Sequence, residues 1–110
     1  MGEWSEWRPF PDPSASGYLI APIGPGVYEL RNRETRSLVY VGSGGQCAYR
    51  MSSLLPAPLG AGTRNNARLR AHVRANLGVL DYRTRPFGSA AEAETFEKEH
   101  RRTGEYLFST

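Results

Sequence analysis

The chain has 110 residues, of which 39% are hydrophobic and 23% charged, enough for one small globular domain with a single modest core. It has no run of about 18 apolar residues, as a membrane span needs, and its first residues lack the basic and apolar regions of a signal peptide. A cytoplasmic protein with no membrane partner is therefore expected. The single cysteine, Cys47, excludes an internal disulfide and a multi-cysteine zinc site.

The first 25 residues contain five prolines, which disfavour a long helix or a central strand. We interpret residues 1–23 as an ordered arm rich in proline and aromatic residues, and residues 24–110 as the domain itself. Trp4, Trp7 and Phe10 supply more aromatic surface than a disordered tail carries, so we expect the arm to pack over the domain. Stacking on nucleic acid and binding of a protein partner are the alternatives.

Two short β-prone runs predict a pair of antiparallel strands at 27–30 and 38–41. Because side chains alternate along a strand, Tyr28 and Leu30 share one face, and Val27 and Glu29 share the other. Tyr40 on the second strand lies on the same face as Tyr28 if the register allows it. A third strand is predicted at 79–85, before Pro86 and Gly88.

Apolar residues at helical spacing predict helices at 46–55, 65–77 and 90–102. The last helix begins with a capping box formed by Ser89 and Glu92. The tail at 106–108 is apolar enough to dock on the domain. The order β-β-α-α-β-α predicts an α+β fold, in which about three helices flank a three-stranded antiparallel sheet.

Positive charge is concentrated in the middle of the chain. The formal net charge is +3, and residues 31–85 hold ten arginines against two acidic residues, Glu34 and Asp81. Arginine binds phosphate through two N–H groups and stacks on bases, so this distribution favours a face that binds a polyanion. A solvated arginine-rich surface is the alternative. The candidate nucleic-acid contacts on the second helix are Arg64, Asn65, Asn66, Arg68, Arg70 and Arg74.

Four elements of sequence occur in a characteristic order. Gly-Val-Tyr ends at Tyr28, Tyr-Val-Gly begins at Tyr40, Arg50 follows ten residues after Tyr40, and a helix carries Glu92-Ala93 and then Glu97. This ordered set resembles the GIY-YIG nuclease domain, and the resemblance spans roughly residues 24 to 110. It implies a metal-dependent endonuclease that hydrolyses phosphodiester bonds in DNA, with RNA as a further possible substrate.

The resemblance implies a role for each motif residue. Tyr28 is expected to position or activate the attacking water, Tyr40 and Arg50 to support and neutralise the phosphate, and Glu97 to hold one Mg²⁺ or Mn²⁺ ion. No separate reader of DNA sequence is evident, so specificity would come from DNA structure, a homodimer or a protein partner.

Two features common in that family are missing. No basic residue follows Arg50 closely, and Ser109 stands where many members have asparagine. A module that binds nucleic acid through the arginine-rich face without cutting it is therefore the alternative function.

Overall fold

The computed structural model describes residues 3–11, 19–52, 54 and 67–108. Within these ranges the strands are β1 (Arg8–Pro9), β2 (Gly26–Asn32), β3 (Leu38–Gly44) and β4 (Leu80–Pro86), and the helices are α1 (Cys47–Ser52), α2 (Ala67–Ala75) and α3 (Ala90–Thr103). A short 3-10 turn, Leu77–Val79, leads into β4. The strands form one antiparallel sheet in the order β1-β4-β2-β3. The predicted α+β class is confirmed.

The prediction of a three-stranded sheet was wrong by one strand, because part of the arm joins the sheet. Arg8 and Pro9 pair with Tyr82 and Asp81 of β4. The Phe10 N–H continues this pairing by donating to the Leu80 carbonyl at 2.9 Å. An edge strand is the position in a sheet where proline is tolerated, since its missing N–H interrupts no central ladder.

Strand register places the two motif tyrosines on the same face of the sheet. Tyr28 pairs with Gly42, and Leu30 pairs with Tyr40. This face packs against buried side chains of α1 and α2, and we call it the α1/α2 face. Its core residues are Tyr28, Leu30, Val39, Tyr40, Leu80 and Tyr82 from the sheet, with Cys47, Met51, Leu54, Leu69 and Val73.

The opposite face of the sheet, here called the α3 face, is covered by α3 and by part of the arm. Val27 and Val41 pack there against Ala93, with Trp4 and Phe96 beside them. The N-cap half of the predicted capping box is present at the start of α3, whereas the Glu92 side chain contacts the Ser89 hydroxyl and not the Ser89 N–H. The Ser89 Oγ accepts a hydrogen bond from the Glu92 N–H at 3.1 Å and lies 3.2 Å from Glu92 Oε1.

Several element ends differ from the prediction. Strand β3 continues past Gly42, because Ser43 and Gly44 still pair with Val27 and Gly26 of β2. Helix α1 is shorter than predicted and is followed by a turn at Leu54. The predicted start of the second helix, at Asn65 and Asn66, lies outside the described residues.

The chain after α3 returns to the sheet, as predicted. Tyr106 forms a parallel bridge with Leu38 of β3, and the Phe108 N–H donates to the Val39 carbonyl at 2.9 Å. This contact lies on the outer side of β3. None of the described helices has the length and apolar character that crossing a membrane requires.

Candidate active site

Tyr28 and Tyr40 are both buried, with exposed fractions of 0% and 2%. Their ring centroids are 6.0 Å apart, so the two tyrosines share one face of the sheet, as predicted, and their rings are neighbours there. The ring of Tyr28 lies across Gly42. A Cβ atom built on Gly42 would lie 2.5 Å from both Cζ and Oη of Tyr28. The second motif therefore needs glycine at position 42, because any side chain there would occupy the place of the Tyr28 ring.

A surface groove of about 450 Å³ lies at the junction of β3, α1 and α3. Residues that line it are Ser43, Gly44, Gly45, Gln46, Tyr49, Arg50, Ala90 and Glu94. Arg50 reaches the groove along the end of β3. Its Cβ, Cγ and Cδ atoms lie 3.4, 3.5 and 3.7 Å from the position of a Cβ built on Gly44. The absence of a side chain on Gly44 thus leaves the aliphatic part of Arg50 resting on the backbone.

Glu97, the predicted metal ligand, is not among the residues that line the groove. It is buried on the α3 face, with 9% of its surface exposed. The Ser43 hydroxyl donates to its Oε1 at 3.1 Å, and its Oε2 lies 3.0 Å from Arg101 Nη1. Glu97 and Arg101 stand four positions apart on α3, so this ion pair lies within one helix. Ser43 therefore separates this carboxylate from the groove.

The structure divides the four motif residues among three surroundings. The Tyr28 and Tyr40 rings lie in the core of the α1/α2 face, Arg50 lines the groove, and Glu97 lies on the α3 face. The carboxylate that lines the groove together with Arg50 is Glu94. We did not predict Glu94 as a site residue. Its sequence signal is the helical spacing of Ala90, Glu94 and Glu97, which places the three on one side of α3.

Glu94 is well exposed and also forms an ion pair. Its Oε1 lies 3.0 Å from Lys98 Nζ, with 60% of the Glu94 side chain and 61% of the Lys98 side chain accessible to solvent. Exposed pairs of this kind contribute little to stability and break readily. Glu94 can therefore exchange Lys98 for another cation.

The arginines of α2 are not part of the groove lining. Arg68 and Arg74 are exposed, and Arg70 is half-buried. Arg64, Asn65 and Asn66, the other predicted nucleic-acid contacts, lie outside the described residues.

A second cluster of charged side chains surrounds Glu29 in the middle of β2. The Glu29 side chain is buried, and Arg83 donates to its Oε1 through Nε at 2.7 Å. The His100 Nε2 lies 2.9 Å from Oε2, and the Tyr106 hydroxyl donates to the same oxygen. The pKa of the Tyr106 hydroxyl is raised well above its ordinary range. Burial is the larger cause of the raised pKa, and the hydrogen bond to Glu29 is the next.

Two tryptophans of the arm close this cluster. The Arg83 guanidinium carbon lies 4.3 Å from the Trp4 ring centroid and 4.6 Å from that of Trp7. The Arg31 guanidinium is 4.2 Å from the Trp7 ring. These cation–π contacts confirm that the part of the arm around Trp4 and Trp7 packs over the domain. An acidic residue within the apolar run of β2 was the only sequence signal of the cluster.

Comparison with known proteins adds no family assignment. The chain matches no protein-family model, and a search of curated proteins finds no match either. Among the described residues there is no group of three or more His, Cys, Asp or Glu side chains that could hold a metal ion.

Proposed function

We propose that this protein is a metal-dependent endonuclease of the GIY-YIG type, which hydrolyses phosphodiester bonds in DNA. One observation carries the proposal: Arg50 of α1, Ser43 at the end of β3 and Glu94 of α3 line one groove. Three separate elements thus bring a cation, a hydroxyl and a carboxylate to a single surface. Hydrolysis of a phosphodiester needs a cation for the developing phosphoryl charge and oxygen ligands for a metal ion.

Arg50 is assigned to the phosphate. A guanidinium offers two parallel N–H donors to phosphate oxygens and keeps its charge at any physiological pH. The aliphatic part of Arg50 rests against Gly44, which restricts its conformations before substrate arrives. Tyr28 extends its hydroxyl across Gly42 of the edge strand β3, and we assign it the positioning of water with Tyr40 as its support.

Glu94 is the groove carboxylate that we assign to Mg²⁺ or Mn²⁺, and Glu97 stays the predicted alternative. Carboxylate and hydroxyl oxygens are the donors that Mg²⁺ accepts, and the ion keeps several waters when the protein supplies only one or two ligands. A bound divalent ion would supply Lewis-acid stabilisation of the phosphoryl oxygens. Glu97 contacts Ser43 through Oε1 and lies beside Arg101, but its buried Oε2 accepts no hydrogen bond from the described residues and so could serve as a metal ligand.

Cleavage assays on plasmid, single-stranded and branched DNA test the proposal, with Mg²⁺, Mn²⁺ or EDTA. We expect cleavage only with a divalent ion, and about a 100- to 1,000-fold loss in both Arg50→Ala and Glu94→Gln. Glu99→Gln is the matched control, because it removes the same charge from α3 outside the groove lining. Arg102→Ala is the matched control for Arg50→Ala, because it removes the same charge from a position outside the groove lining.

The variant Glu97→Gln separates the two carboxylates. If it alone abolishes cleavage while Glu94→Gln remains active, the metal belongs to Glu97. Cleavage that persists in EDTA, or that survives Arg50→Ala unchanged, overturns the proposed site. Circular dichroism of each variant excludes loss of fold as the cause.

A nucleic-acid-binding module without cleavage is the second candidate. The observation that favours it is the burial of Tyr28 and Tyr40, which leaves their hydroxyls almost no contact with solvent. In that case DNA binding would fall steeply with salt concentration, and neither a divalent ion nor a glutamate would affect it.

A further inference from the structure

Tyr49 carries a large aromatic ring on the surface of the domain. Its exposed fraction is 74%, whereas Tyr28, Tyr40 and Tyr82 are buried. It is the only aromatic residue among the described large hydrophobic side chains that are exposed. Tyr49 is part of α1 and adjoins Arg50, and both residues line the groove. A ring held on a helix beside a phosphate-binding side chain is placed to receive a flat ligand.

The remaining groove residues fit a nucleotide. Gln46 presents an amide that can both donate and accept hydrogen bonds, as recognition of a base edge requires. Gly44 and Gly45 present backbone without side chains, so a ligand can approach closely. The volume of about 450 Å³ lies within the range of small-ligand sites.

We propose that Tyr49 stacks on an unpaired base next to the phosphate held by Arg50, so that the groove selects single-stranded or flapped DNA over intact duplex. The inference rests on the proposed function for the role of Arg50. In a duplex both faces of each base are already stacked, and an enzyme must open the pair before an aromatic ring can reach it. One stacked base supplies no more free energy than opening a pair costs, so a single tyrosine favours bases that are already unpaired.

Stacking and phosphate binding differ in how they respond to salt. Stacking is uncharged, so its loss leaves the dependence of affinity on salt concentration unchanged. A lost phosphate contact makes that dependence shallower. Tyr49 and Arg50 are neighbours in the chain, and their effects can be separated in this way.

Binding is measured with the full chain in EDTA, so that no cleavage occurs, on oligonucleotides that carry 2-aminopurine. The three probes are a single strand, a duplex and a duplex with a short flap. For the wild type we expect tighter binding and stronger 2-aminopurine quenching with the single strand and the flap than with the duplex. Tyr49→Phe keeps a ring and should keep this preference.

Tyr49→Ala should weaken binding to the single strand and the flap by about 5- to 150-fold, with duplex binding and the salt dependence unchanged. Leu107→Ala is the matched control, because Leu107 is also an exposed apolar side chain, 62% accessible, outside the groove lining. Equal losses on all three probes, no loss, or a wild type that binds none of them overturn the inference.

A parallel cleavage assay with Mg²⁺ distinguishes failure of the stacking site from failure of the proposed nuclease function. If all proteins fail to cut but the Tyr49-dependent preference is present, the stacking site stands and the nuclease does not. The wild type and Tyr49→Ala could instead cut at the same rate, with no preference between duplex and flap. In that case the nuclease stands and the stacking site is refuted.

Discussion

Gly42→Ala should destabilise the fold by about 3 kcal/mol, because the new methyl group would overlap the buried ring of Tyr28. The added Cβ would lie 2.5 Å from Cζ and Oη of that ring and 2.9 Å from Cε1. Ordinary contacts between carbon atoms are about 3.5–4.0 Å, so the ring would have to retreat by roughly 1 Å. The ring has no exposed surface, and the Tyr40 ring lies 6.0 Å away, so movement displaces other core side chains.

The assay is urea unfolding of the wild type and of Gly42→Ala, followed by circular dichroism. Overpacked cores typically lose about 1–3 kcal/mol, and overlap with two ring carbons and the phenolic oxygen favours the upper end. In a domain of this size the melting temperature should fall by about 10–20 °C. Gly24→Ala is the control, since a Cβ there would meet nothing within 4 Å, and we expect a change below about 0.5 kcal/mol.

A double-mutant cycle tests the cause. In a Tyr28→Leu background the side chain is shorter, so Gly42→Ala should cost at least about 1 kcal/mol less than it does in the wild type. Two results would refute the reasoning: a loss below about 0.5 kcal/mol for the single variant, or an equal loss in both backgrounds.

Three further variants or measurements test the rest of the fold. Glu29→Ala leaves Arg83 without its buried partner and should cost about 3–5 kcal/mol in urea unfolding; a loss below about 1 kcal/mol would contradict the role of this ion pair. Ser89→Ala removes the cap of α3 and should cost about 1 kcal/mol, and an unchanged midpoint would show that the cap contributes nothing. Burial raises the pKa of the Cys47 thiol from 9.0 to about 12. The contribution of this thiol to the free energy of unfolding is therefore fully present below pH 9.0 and is lost as the pH rises towards about 12. The native thiol should resist alkylation at about pH 8 and react when urea is added; rapid native labelling would contradict its burial.

Local patterns in the sequence were sufficient for much of the fold. Alternation along β2 determined which of its residues share a face, and the Ser89 cap determined where α3 begins. Both depend on residues within a few positions of one another, because strand and helix periodicity are properties of the local backbone. Alternation was not sufficient for β3, because the register shift opposite Leu30 and Arg31 brings Val39 into the same core cluster as Tyr40. The α+β class followed from the order of such elements.

Only the tertiary structure decided which distant residues meet. The pairing of Arg8 and Pro9 depends on the open edge of β4, more than 70 positions further along the chain. The charge of Glu29 is buried because β4, α3 and the tail each supply a partner. No local sequence pattern predicts such partners, because tertiary packing brings them together.

The choice between two glutamates shows the same limit at the candidate site. Glu94 and Glu97 are three positions apart on α3, so helical spacing places both on one side of the helix. Which of them lines the groove with Arg50, and which lies behind Ser43, depends on how α3 is rotated against β3. That rotation is set by the packing of Ala93 on Val27 and Val41 across the sheet. The sequence by itself determined the elements and their faces, and the packing of α3 on the sheet determined the carboxylate at the groove.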